Sequence, residues 1–209
     1  LLEQYSRPRA NGINAITIKD EDELLEAKLT TGNSQILLAV KSGKAIRFEE
    51  DKTRPMGRSA SGVRGITLNG PSDEVIGMVS VSDSETEILV VSENGYGKRS
   101  SLDDYRTTNR GGKGVKTLSI TDKTGELVSI KNVSDLDDLM IINKSGIAIR
   151  MDVADLRVMG RATQGVKLIN LKGTDTIAAV AKVMKDDEEI PEVSEDDVPT
   201  SETDGTNLE

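Results

Sequence analysis

Gly114-Val115-Lys116-Thr117-Leu118-Ser119-Ile120 is the stretch on which the reading of this chain turns, because the same phrase keeps returning. It stands as Gly12-Ile13 with Ile16 and Ile18, as Gly62-Val63 with Ile66 and Leu68, and as Gly165-Val166 with Ile169 and Leu171, at spacings of 50, 52 and 51 residues. A second pattern keeps the same period: an apolar run, a Gly turn and a segment carrying Arg. It reads Ile36 to Val40, Ser42-Gly43 and Ile46-Arg47-Phe48, then Ile88 to Val91, Asn94-Gly95 and Lys98-Arg99, then Leu139 to Ile142, Ser145-Gly146 and Ile149-Arg150-Met151. Leu24-Leu25, Val75-Ile76, Leu127-Val128 and Ile177-Ala178 form a third. Independent patterns sharing one period mark a repeat architecture.

Each unit reads as strands. Ile16-Thr17-Ile18 alternates with period two, Ile36 to Val40 is a short apolar run of strand length, and Ser42-Gly43 and Asn94-Gly95 are hairpin turns. The stretch Asp20 to Ala27 is rich in helix formers, but its repeat-mates around Val75 and Leu127 are too short and too β-branched for a helix, so all are assigned as strands. About four strands in ~50 residues predicts an all-β, propeller-like array of four-stranded blades. Four Gly-aliphatic phrases, the first without its early strands, predict about three and a half blades over residues 1–184. Because the chain begins at Leu1 and four blades are few for a closed ring, it is expected to be a piece of a longer protein.

Charge divides the chain. Lys185 to Glu209 carry eleven carboxylates against one lysine, whereas the 184 residues before them carry 26 basic and 25 acidic side chains. So acidic and apolar-poor a segment cannot bury enough surface to fold, and 185–209 is expected to be a disordered acidic tail. Tethered beside cations, it is expected to compete with a polyanion for them.

The cations of the body follow the repeat. Four residues before the Gly stand Arg58, Arg110 and Arg161; eight before stand Arg54, Arg106 and Arg157; two after stand Arg64, Lys116 and Lys167; Lys113 directly precedes Gly114. On the hairpins, Arg47 and Arg150 alternate with apolar neighbours and Arg99 holds the matching position, so all three are expected to point outward. A single such arginine would be a solubilising surface charge. A whole set in register is a track suited to a regularly charged polymer, since each neutralised phosphate releases condensed counterions. With Tyr5, Phe48, Tyr96 and Tyr105 as the whole aromatic complement, base-stacking on single strands is disfavoured. Double-stranded DNA gripped by its backbone is the expected partner, through Arg54, Arg58, Arg64, Arg99, Arg106, Arg110, Lys113, Lys116, Arg157, Arg161 and Lys167.

Asn109-Arg110-Gly111-Gly112-Lys113-Gly114 resembles the Gln-Arg-Arg-Gly-Gly-Lys-Gly box that marks the C-terminal domain of gyrase A proteins. Glu93 to Arg99, Met56-Gly57 with Gly62-Val63-Arg64-Gly65, and Val158 to Val166 resemble that domain's later blades, so the likeness runs over residues 1 to about 184 and extends to the type of tail. The resemblance implies a six-bladed β-pinwheel that wraps DNA around its rim in a bacterial, cytoplasmic, nucleoid-associated enzyme. It implies as partners the rest of gyrase A and gyrase B, with ATP and Mg used elsewhere in the holoenzyme and no cofactor here. In the family the diagnostic box lies in the first blade; Asn109 to Gly114 is a degenerate copy in a later one, which implies that the box and two blades precede this chain.

Other chemistry is disfavoured residue by residue. Without His or Cys there is no serine–histidine or cysteine–histidine pair and no ordinary zinc site. Gly111-Gly112-Lys113-Gly114 lacks the Ser or Thr and the glycine spacing of a phosphate-binding loop. Asp135, Asp137 and Asp138 read as a solvated turn. Tyr105 reads as a packing position, because Leu156 takes its place one repeat later. No apolar run reaches the ~20 residues of a membrane helix. Two alternatives share the pattern: the matching domain of the A-type protein of topoisomerase IV, and a protein-interaction propeller, which should show apolar rather than cationic rims.

Overall fold

The computed structural model describes residues 2–82 and 87–184. The eleven strands among them are β1 (Gln35–Val40), β2 (Lys44–Glu49), β3 (Val75–Val81), β4 (Glu87–Ser92), β5 (Tyr96–Ser101), β6 (Val115–Lys116), β7 (Leu127–Val133), β8 (Asp137–Asn143), β9 (Ala148–Asp152), β10 (Val166–Lys167) and β11 (Ile177–Met184). Short 3-10 turns follow β2 and β5, and the described helical residues are confined to such turns. The acidic tail lies outside the described residues.

Three antiparallel sheets form, in the orders β3-β1-β2-β6, β7-β4-β5-β10 and β11-β8-β9. At the heart of each is a hairpin turning on a glycine at positive φ: Gly43 (φ 79), Gly95 (φ 77) and Gly146 (φ 87). Registers match across repeats, with Leu38 opposite Ile46, Val90 opposite Lys98 and Ile141 opposite Ile149. A bulge recurs where Val40, Ser92 and Asn143 meet Val75, Leu127 and Ile177.

The sheets differ from one-repeat blades. β1 and β2 lie between the first and second repeat glycines, β3 follows the second, and β6 follows the third, so one sheet draws on three successive repeats. The next sheet repeats the arrangement one unit on. Gly114 explains part of the recurring phrase: at φ 69 its backbone passes so close to the first hairpin that a β-carbon would lie 2.5 Å from the Ala45 carbonyl oxygen. A side chain there would push β6 off β2.

Ile16 to Ile18 and the segment around Leu24-Leu25, expected as strands, form none. In later repeats Val75, Leu127 and Ile177 open strands that pair with the preceding hairpin, and Val115 and Val166 pair with the hairpin before that. No hairpin among the described residues precedes Ile13 or Leu24, so the described residues offer their backbone no ladder to join. Val63, preceded by one hairpin rather than two, likewise forms no strand.

The core is aliphatic and lies between sheets. Leu37, Val79, Ile88, Val90, Leu102, Tyr105, Leu118 and Leu127 join the first two sheets. Leu89, Val91, Leu139, Ile141, Val153, Leu156 and Ile177 join the second and third. Because β1 and β4 are covered on both faces, they are nearly continuous apolar runs rather than alternating ones. Tyr105 and Leu156 occupy matching core positions, as expected from their interchange. The Tyr105 hydroxyl hydrogen-bonds Thr117, and burial pushes its pKa up to about 12.

Candidate nucleic-acid interface

Before Gly114 and Gly165 the chain runs in a loop across the hairpin of the preceding repeat. The Thr108 N–H donates to the Arg47 carbonyl and the Met159 N–H to the Arg99 carbonyl, each at 2.8 Å. The same loops reach the preceding repeat's aliphatic phrase. Thr17 N donates to Ala60 O at 3.2 Å, Thr67 N to Gly112 O at 2.9 Å and Ser119 N to Thr163 O at 3.1 Å. These loops carry most of the expected cations, so their geometry is set by the contact between successive repeats.

The arginine four before the glycine is a clasp in that contact. Arg58 Nη1 donates to Asn14 O at 3.1 Å; Arg110 donates to Lys52 O at 2.8 Å and Arg64 O at 3.0 Å; Arg161 donates to Asp104 O at 2.9 Å and Lys116 O at 2.7 Å. A planar guanidinium spans two carbonyls at once, which a lysine ammonium would meet only as a point charge. The position therefore has a structural reason as well as an electrostatic one. Carbonyls neutralise nothing, so these half-buried arginines keep their charge at the surface.

The clasps of Arg110 and Arg161 also juxtapose cations. The carbonyl that receives Arg110 belongs to Arg64, and the one that receives Arg161 belongs to Lys116, so like charges gather along the loops. Arg54, Arg64, Arg106, Lys113, Lys116, Arg157 and Lys167 are exposed. None of these seven, nor Arg58, Arg110 or Arg161, forms an ion pair with a carboxylate among the described residues. Unpaired clustered cations repel one another, and an external polyanion relieves that repulsion.

Arg99 departs from the expectation. It is 7% exposed, bonded to the Leu156 carbonyl and paired with Asp135 and Glu87, the latter at 2.8 Å. Arg47 is similar: its guanidinium meets the Leu102 and Tyr105 carbonyls at 2.8 and 3.0 Å, and Gln35. The alternation along β2 and β5 does turn these side chains off their own strand, but the next repeat's loop covers them. Arg150, on β9, stays exposed and pairs with Asp138. The hairpin arginines are internal ties, and Arg99 is not part of the exposed track.

The Asp135 to Asp138 reading is corrected in part. Asp135 is exposed, but Asp137 and Asp138 are buried at the start of β8. Asp137 accepts from the Ser134 N–H at 2.7 Å and hydroxyl at 3.0 Å, so it ties the turn. No group of three or more potential metal-ligating residues occurs among the described residues. Sequence reasoning also missed carboxylates that keep register. Asp73 accepts from Ser42 of the first hairpin at 2.9 Å, and Asp175 from Ser145 of the third at 2.8 Å. Both stand two residues before the strand that follows, at Val75 and Ile177, a spacing visible in the sequence but obscured by Gly125 at that place in the intervening unit.

A family model described as DNA gyrase C-terminal domain, beta-propeller, matches residues 1–31, 35–82, 86–134 and 137–184. The A subunit of DNA gyrase from Staphylococcus aureus (strain NCTC 8325) is 46% identical over 206 residues, covering 98% of this chain and 23% of the relative. The chain thus spans about a quarter of that relative's length. Among solved structures, a DNA gyrase A C-terminal domain aligns with a TM-score of 0.75 at 26% identity, covering 83% of this chain and 59% of the other. A DNA topoisomerase IV C-terminal domain aligns at 0.82 and 22% identity, covering 88% and 57%, a likeness of fold.

Proposed function

As the chain belongs to the DNA gyrase A C-terminal domain family, in which the fold is an all-β pinwheel, we propose that it binds double-stranded DNA and wraps it along the cationic loops of successive repeats. The observation that carries this reading is the ten register cations left without a carboxylate partner among the described residues, beside Arg99 and Arg150 on the hairpins, which are paired.

The mechanism follows from the spacing. Each repeat offers a similar group of cations at a similar place on a rigid sheet, held by clasps rather than by loose side-chain contacts. A duplex that satisfies one group is led to the next only by following the turn between sheets. Bending 20–30 base pairs costs of order 1–6 kcal/mol, and successive phosphate contacts offset it. Nothing in such a grip reads bases, so sequence preference arises through DNA deformability.

In the holoenzyme the wrapped segment sets the sign of strand passage, and so guides ATP-dependent negative supercoiling. The rest of gyrase A and gyrase B supply cleavage, ATP and Mg, while this domain contributes neither catalytic residue nor cofactor. It works in the bacterial cytoplasm on nucleoid DNA. The same role in topoisomerase IV is the second reading, supported by the fold likeness at TM-score 0.82. The family model and the 46% identity favour gyrase.

The test is affinity for mixed-sequence duplex DNA across a salt series. If about five cations meet phosphates, log affinity falls against log salt with a slope of about −4.5. A flat salt response, or selectivity for one short sequence, overturns the proposal.

A further inference from the structure

Lys98 is out of place. Its repeat-mates are Ile46 and Ile149, facing Leu38 and Ile141 across their hairpins as Lys98 faces Val90. Like Ile46, it is buried: its relative exposure is 0%. Burying an ammonium costs far more than burying an isoleucine, so stability alone does not call for lysine at this position.

What Lys98 touches explains the choice. Its Nζ donates to the Gly160 carbonyl at 2.6 Å and to the Thr163 hydroxyl at 3.0 Å. Thr163 closes the same turn, its hydroxyl donating to Gly160 O at 2.9 Å, and its carbonyl receives Ser119 N at 3.1 Å. Arg161 lies between the two anchored residues. One repeat earlier, Thr163 is replaced by Gly112, where an added β-carbon would come 3.4 Å from Ile46 Cδ1. An apolar Ile–Gly contact has become a charged Lys–Thr anchor under a single cationic loop.

We propose that Lys98 is a positioning residue that pins loop 160–163 from beneath, so that Arg161 is held for a DNA phosphate and the buried ammonium adds its own positive potential there. This rests on the reading of the rim as a DNA surface. Burial pushes the Lys98 pKa down to about 8; Arg161, from the loop above, pushes the same way, and Asp104, from the turn after β5, opposes. Across the hairpin stands the apolar Val90. A phosphate at Arg161 favours the charged amine, so DNA binding and protonation of Lys98 support each other. Affinity therefore falls as pH rises through about 8. The chain contains no His and no Cys, whose ordinary pKa values would place side-chain titration in the same window.

The test uses the whole chain and a mixed-sequence linear duplex at fixed salt. Lys98→Met is expected to fold and to melt no lower than the parent. The folded parent releases this proton near pH 8 and the unfolded chain near 10.5, so the charged form is the one folding penalises. Its affinity at pH 7 is expected to fall about threefold or more, and the roughly two- to fivefold loss of parental affinity between pH 7 and 9 is expected to vanish. Lys98→Ile with Thr163→Gly rebuilds the first repeat's contact, should behave the same way, and decides the matter if Lys98→Met fails to fold. Parental affinity and pH profile in a folded variant overturn the role of Lys98 while leaving the DNA reading intact. A parent that shows no salt-dependent binding overturns both.

Discussion

Residues 12–18 and 114–120 carry the same phrase and meet different fates. Around Gly114 the chain forms β6 against β2, and Leu118 is 1% exposed in the core. Around Gly12 it forms no strand; Ile16 is 40% exposed, and a β-carbon on Gly12 would have nothing within 4 Å. The difference lies in the partner. The phrase becomes a strand where a hairpin two patterns upstream offers an edge, as it does for Val115 and Val166. Local sequence encodes readiness to pair, and the ladder comes from a distant segment.

Four measurements sharpen or break this contrast. Leu118→Ala should destabilise the fold by about 2–5 kcal/mol, since it empties a buried site. Its counterpart Ile16→Ala should cost about 0.5 kcal/mol, as an exposed substitution. Denaturant melts of the two decide it, and equal losses would mean that the first phrase is packed as tightly as the third.

Gly165→Ala comes next. At φ 77, and with a β-carbon 2.4 Å from the Gly97 carbonyl oxygen, it should lose about 3 kcal/mol through strain and overpacking together. Gly12→Ala, at φ 78 in open space, should lose only the backbone part, about 1 kcal/mol. A thermal melt of each pair tests whether it is the inter-repeat approach that requires glycine.

The cations give a finer comparison. Arg110→Ala removes a clasp on the Lys52 and Arg64 carbonyls, so about 1 kcal/mol of stability should go together with about one unit of salt slope. Both Arg110 and Lys113 read from the sequence as free surface charges, and the structure separates them. Lys113→Ala should reduce the slope by a similar amount at unchanged stability. Identical melts for the two variants would break the clasp account.

The smallest effect concerns the tail. Deleting 185–209 should tighten DNA binding at low salt, where screening extends over ~30 Å at 0.01 M, and should do little at physiological salt. Equal affinities at low salt would leave the tail as a solubility device.

The exposure of Arg54, Arg106, Arg157, Arg64, Lys116 and Lys167 was legible in the sequence, because they sit at repeat positions outside the apolar runs. Arg99 was misread because alternation along a strand says which way a side chain leaves its own sheet, not what the next repeat lays over it. Lys98 was passed over for a related reason: lysine is usually a surface residue, and only the loop 160–163 folded above it makes its ammonium a buried anchor.

By itself the sequence determined the period, the hairpins and their glycine turns, the aliphatic core, and the neutral body with its acidic end. These are local or periodic properties, and propensity, patterning and charge express them without reference to distant residues. The tertiary structure alone decided that a sheet draws strands from three repeats, that the first phrase stays outside any sheet, and which cations are clasps, ties or unpaired rim charges. Most of those depend on contacts between residues about 40 to 70 positions apart, such as Arg161 with Lys116 and β2 with β6. Pairing and burial at that range are properties of the packed chain, because a β-ladder or a desolvated charge exists only once both partners are in place.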